Sequence, residues 1–140
     1  MNMDGIRKLL EDNDITGSAC DFLVLLWGMI QFFDDVFDGD PVKDFDRVLY
    51  ASLLSLPLNE FYSQYRAALA PAIHMAIEKW HMANSRESAA TGDARTFMWR
   101  AAYWDVAGTV CSITNNPNMR TVIALYAESY EEYLLEVNNA

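Results

Sequence analysis

Residues 18–41 read "SACDFLVLLWGMIQFFDDVFDGDP", and this stretch decides the fold class. From Ala19 to Phe33 only Asp21 and Gln31 are polar, so apolar side chains occupy nearly every face of a helical wheel. A helix that is hydrophobic all round belongs in a protein core. Ser18 is a good N-cap residue, and Gly39 suits the left-handed C′ position that ends many helices. The spacing therefore predicts a central buried helix over 18–38. Asp40 followed by Pro41 then reads as the cap and first position of the next helix. The apolar run Phe22–Phe33 is about 12 residues, shorter than a bilayer requires.

Outward from that helix the same punctuation recurs. A short polar helix is predicted over 3–12, ending at "DNDITGS". The helix opened by Asp40 runs to about Leu54, where "SLPLNEF" breaks it. A long helix follows from Leu58 to Ser88, with a kink expected at Pro71 because proline lacks the N–H and clashes with the preceding turn. "SAATGD" reads as a loop, and Asp93 as the cap of a helix over 94–113. Asn116-Pro117 opens a last helix to about Val137. Its expected apolar face is Met119, Val122, Ile123, Tyr126, Tyr130 and Tyr133 or Leu134. Its outer face is Arg120, Glu128, Glu131, Glu132 and Glu136. Short connections favour antiparallel neighbours. The expectation is an all-α chain, a helical bundle of five to six mostly antiparallel helices in one domain over 1–140, with a four-helix-bundle core as one architecture.

Composition agrees. Of 140 residues, 52% are hydrophobic and 21% charged, which excludes disorder as the main state. The formal charge is −10, concentrated at one end. Residues 1–46 hold 11 of the 20 acids against Arg7, Lys8 and Lys43, a charge of −8, leaving −2 for the other 94 residues. Such a surface repels nucleic acid and anionic membrane. Cys20 and Cys111 have no metal spacing and sit in apolar contexts, as small buried hydrophobes do. With no signal peptide visible, a soluble cytoplasmic protein is expected. An aromatic content of 13% suggests a buried face beyond the monomer core, hence a homodimer.

Asp34, Asp35 and Asp38 crowd the last turn of the predicted central helix. A helix C-terminus carries about half a negative charge, so carboxylates there are disfavoured. Asp34 and Asp38, four apart, also repel each other. A divalent cation would reverse both terms, and Mg²⁺ takes oxygen ligands, often carboxylates together with substrate phosphates. The string Asp34-Asp35-Val36-Phe37-Asp38, behind Phe32 and Phe33, resembles the DDxxD motif of class I terpenoid and isoprenyl diphosphate synthases. That resemblance implies a terpenoid-synthase-like helical bundle with Mg²⁺ at its mouth gripping a substrate diphosphate. It would make Asp34 the leading ligand and Asp35 and Asp38 supporting ones. The chain is about half the family's length. For the second metal motif it offers only Asp105 in "YWDVAGT", with Thr109 and Ile113 at the partner positions.

Arg100 and Asp105 are isolated charges in an apolar stretch, so each needs a partner. Arg100 is a candidate phosphate contact, and Asp105 a candidate ligand or catalytic group. His74, Glu78 and His81 share a helix face, and Glu78-x-x-His81 has the form used in di-iron bundles, which need two such motifs. Only one is present, so partly buried polar pairing is the simpler expectation, with His81 kept as a candidate base. Trp27, Trp80, Trp99 and Trp104 read as core or as the lining of an apolar pocket. Gly108 allows close helix approach. Three functions stand open: Mg²⁺-dependent binding or hydrolysis of a diphosphate-bearing small molecule, a non-enzymatic helical interaction or assembly protein, and an all-α nucleotide pyrophosphohydrolase. The ExxE and ExxD pattern of the last is not found.

Overall fold

A computed structural model describes residues 2–42, 44–88, 93–125 and 133–135, and among them there are helices and no strand. The first helix, α1 (Met3–Asp12), is capped by Asn2, whose side-chain oxygen accepts from the Gly5 N–H at 2.8 Å. Ile6 and Leu10, four apart, form its buried stripe. It ends at Asp14 (φ 62°), and the Ile15 N–H donates back to the Leu10 carbonyl at 3.0 Å. The apolar residue after the left-handed position, Ile15, is itself buried, as this closing motif favours.

The decisive stretch forms α2 (Gly17–Asp38). Gly39 ends it at φ 74°, and the Asp40 N–H closes on the Asp35 carbonyl at 2.9 Å. Ser18 is not its cap. Thr16 is the extended residue before the helix and Ser18 already lies inside it, with no side-chain capping bond at this end. Nor is α2 buried throughout. Ala19, Cys20, Phe22, Leu23, Val24 and Leu26 are buried, but Phe33, Val36 and Phe37 are at least half exposed. An apolar wheel signals what a helix can bury, and among the described residues the second half of α2 keeps these three side chains at the surface.

Asp40 does not cap the next helix either, because the helix starts later, after Asp44. Residues 40–42 are non-helical, and α3 (Phe45–Tyr50) begins after Asp44, a left-handed residue (φ 59°, ψ 39°). The helix then passes without interruption through a π-helical segment, Ala51–Ser55, into a short turn, α4 (Leu56–Leu58). The predicted break falls at Asn59 (ψ 129°). Its side chain accepts from the Tyr62 N–H at 2.9 Å, capping the next helix, and donates to the Ser18 carbonyl at 3.0 Å.

That next helix, α5 (Glu60–Ser88), contains Pro71, yet its non-helical residue is Tyr65 (φ −113°, ψ 22°). The distortion lies six residues before the proline, beyond the i−4 carbonyl of Ala67 that its ring would crowd, so Pro71 does not account for it. Asp93 caps α6 (Ala94–Arg100) as expected, accepting from the Thr96 N–H and hydroxyl at 2.9 Å each. The predicted helix over 94–113 is divided at Ala101 (ψ −1°), where α7 (Ala102–Thr114) begins. Asn115 (φ 55°) ends α7, with the Asn116 N–H on the Cys111 carbonyl at 2.8 Å. Asn116 then accepts from the Asn118 N–H at 2.8 Å, so it caps a turn, and α8 (Met119–Ala124) starts later than predicted.

Val122 of α8 is buried and Ile123 half-buried, while Met119 is exposed. The predicted continuation through Tyr126, Glu128, Tyr130, Glu131, Glu132 and Glu136 lies outside the described residues. Residues 133–135 are helical, with Tyr133 buried.

The chain forms two compact units, Met1–Arg66 and Ala67–Ala140. In the first, α1 packs on α2, and Ile6, Leu10, Ile15, Phe22, Leu23 and Phe61 are among its buried residues. Phe22 stacks on Tyr62, ring centroids 5.6 Å apart. In the second, α7 packs on α6 and α8 around Val106, Val110, Cys111 and Val122. Gly108 has the predicted use: a Cβ there would lie 2.9 Å from both Cγ1 and Cδ1 of Ile123. No helix among the described residues is long and apolar enough to cross a membrane.

Candidate functional site

The second half of α2, the N-terminus of α1 and the run 42–55 enclose an open groove of about 980 Å³ within the first unit. Its apolar lining comes from Leu25, Trp27, Gly28, Met29, Phe32 and Val48. A Cβ built at Gly28 would come into ordinary contact with the Met3 side chain, whose sulfur lies 3.5 Å away. Phe32 is held by aromatic contacts with Phe33 (5.3 Å) and Phe45 (5.8 Å). Four carboxylates, those of Asp4, Asp35, Asp44 and Asp46, also line the groove. Arg47 stands among them, its guanidinium 3.8 Å from the Met3 sulfur. The π segment contributes Ala51 and Ser55 to the wall.

Of the DDxxD triad, Asp35 lines the groove, Asp34 is half-buried on α2 and Asp38 is exposed at its end. The same stretch of sequence carries exposed apolar side chains that are not in the groove lining: Phe33, Phe37, Phe45, Leu53, Leu54 and Leu58. Leu53 and Leu58 are 65% and 75% exposed, values seldom met by leucines of a finished core.

The other candidates belong to the second unit, and local partners hold them. Asp105 is exposed and ion-paired to Lys79 at 3.0 Å. Thr109, its nearest motif partner, donates its hydroxyl to the Asp105 backbone carbonyl at 3.0 Å. Arg100 is not displayed for a phosphate. Its Nε and Nη2 donate to the two oxygens of Glu87 at 2.6 and 2.5 Å, and Nη2 also donates to Asn84 Oδ1. Both side chains of this pair are about four-fifths buried. Tyr133 donates its hydroxyl to Glu87 Oε1 at 2.6 Å. Burial pushes the Glu87 carboxyl up, but the bonds from Arg100 and Tyr133 and the Arg100 charge outweigh it, and its pKa lies below the ordinary value. Burial, then the bond to Glu87, raises the Tyr133 phenol.

Glu87 and Tyr133 are residues that sequence reasoning missed. The isolation of Arg100 required some acid, and nothing in the spacing named which.

The histidines are exposed rather than partly buried. His74 lies 3.5 Å from Glu78, with both side chains in solvent, and His81 contacts the Trp80 ring edge-on at 5.2 Å. Trp104 is buried; Trp27, Trp80 and Trp99 are half-buried. Cys20 and Cys111 are free and buried, and burial raises both thiols, which disfavours the thiolate. Among the described residues no group of three or more His, Cys, Asp or Glu side chains is arranged to hold a metal ion. Comparison of the chain with protein-family models, curated proteins and solved structures gave no match.

Proposed function

We propose that the first unit is a docking module, a non-enzymatic interaction element. The observation that carries this is the set of exposed apolar side chains over 33–58, interleaved in sequence with the residues that line an acid-bearing groove. Large apolar patches rimmed by polar groups mark interaction sites, whereas scattered apolar residues do not. A π segment in the groove wall adds to it, because π turns are rare in helices and frequent at functional sites. The test is to replace Leu53 and Leu54 by serine. A docking surface loses dye binding, such as that of anilinonaphthalene sulfonate, while stability stays within about 0.5 kcal/mol of the parent. If the double variant loses several kcal/mol instead, these leucines serve the fold and the reading fails.

A Mg²⁺-dependent site for a diphosphate-bearing small molecule is the second reading. What favours it is Asp35 lining a groove together with Asp44, Asp46 and the cationic Arg47. Calorimetric titration with Mg²⁺ and inorganic pyrophosphate tests it: heat that disappears in Asp35→Asn supports the reading, and no heat at millimolar Mg²⁺ sinks it.

A further inference from the structure

The occupant of the groove can be specified further, on the basis of the docking reading. We infer that the groove takes a basic amphipathic helix from a partner protein. Two properties of the site select it. The lining is apolar along α2, at Leu25, Met29 and Phe32, and acidic on balance, with Asp4, Asp35, Asp44 and Asp46 against the cation Arg47. A helix laid into such a groove seats an apolar stripe below and needs cationic side chains at its flanks.

Charge decides against the other occupants. Residues 1–46 carry −8, so a second copy docked in the same groove would bring like-charged rims together. An acidic segment meets the same repulsion. Lysine and arginine suit the flanks well, because their long apolar stems cover the lining while their charged ends reach the rim. The apolar lining itself, Leu25, Met29 and Phe32 with Trp27 and Val48, is more than a small cation would cover.

The experiment uses the full chain and two model peptides of equal length, an amphipathic helix of leucine and lysine and its leucine–glutamate counterpart. Binding is followed by fluorescence anisotropy at low and high salt. The leucine–lysine helix is expected to bind and to weaken about tenfold or more as salt screens the rim. The leucine–glutamate helix is expected not to bind.

Two variants locate the site. Gly28→Leu fills the groove at a mid-helix position where leucine is a better helix former than glycine. Asp35→Asn with Asp44→Asn removes rim charge, and asparagine tolerates the left-handed conformation of residue 44. Both should lower the affinity at least about tenfold while leaving the melting temperature near that of the parent.

Equal binding of the two peptides overturns the inference. So does leucine–lysine binding that neither variant changes. A dimer seen by sedimentation without peptide and abolished by Gly28→Leu assigns the groove to a second copy and also overturns it. These failures are separable from failure of the docking reading, which is judged by the stability and dye binding of the leucine-to-serine variant.

Discussion

Glu87 shows how much one residue can be asked to do. It neutralises Arg100 through a two-pronged pair and accepts from Tyr133, tying residues 133–135 to α5 and α6. Removing one partner of a mostly buried pair leaves the other charge uncompensated, which is far costlier than the pair is favourable. Glu87→Gln should therefore cost about 2 kcal/mol near neutral pH, read by denaturant unfolding. The pH dependence follows from the depressed carboxyl. Its contribution is fully present above the ordinary value near 4.5 and is lost as pH falls through the lower folded value. Parent and variant curves should accordingly converge below about pH 4.5, and a gap that widens in acid would contradict the assignment. The sequence shows that Arg100, alone among apolar neighbours, needs an acid. It cannot show that the acid is 13 residues earlier, in the preceding helix.

Helix ends were the most legible elements. Gly39 and Asp93 do what their chemistry forecasts, because a left-handed C′ glycine and an aspartate N-cap act through bonds within a few residues. Ser18 and Asp40 failed for an equally local reason. Each is chemically fit to cap, but the neighbouring backbone places the helix start elsewhere. At the element scale, α7 and α8 depend on a missing side chain. Gly108→Val should destabilise the second unit by about 1–3 kcal/mol through overpacking against Ile123, and Ile123→Ala should restore part of that loss. Additive losses in the double variant, measured in a thermodynamic cycle, would mean that the two residues do not press on one another.

For the molecule as a whole, the opposing features are an acidic charge of −10 and an apolar surface over 33–58. Repulsion between copies of like charge opposes self-association of such a surface. It vanishes near the sequence pI of about 4.4. Light scattering should therefore rise steeply as pH approaches 4.4, and less so for the Leu53→Ser, Leu54→Ser variant. Clear solutions of the parent throughout that range would rule out a continuous sticky surface. The all-α class was legible in the long apolar run and the cap signals. The groove was not, because a leucine destined for a core and one left at a surface look alike in a sequence. Their difference depends on how many elements arrive to cover them.

The π segment Ala51–Ser55 sets the phase of everything after it. An α-helix turns about 100° per residue, so the extra residue in a π turn rotates the downstream face by roughly that angle. Downstream of it Leu56 is buried while Leu58 is exposed, and within it Leu53 and Leu54 are exposed. Deleting a single residue between 51 and 55 would let the run close as α-helix with Leu56 still at its buried position, whereas holding all five residues in α-helical register would swing Leu56 away by roughly 100°. One added residue thus fixes which leucines anchor this wall and which it displays.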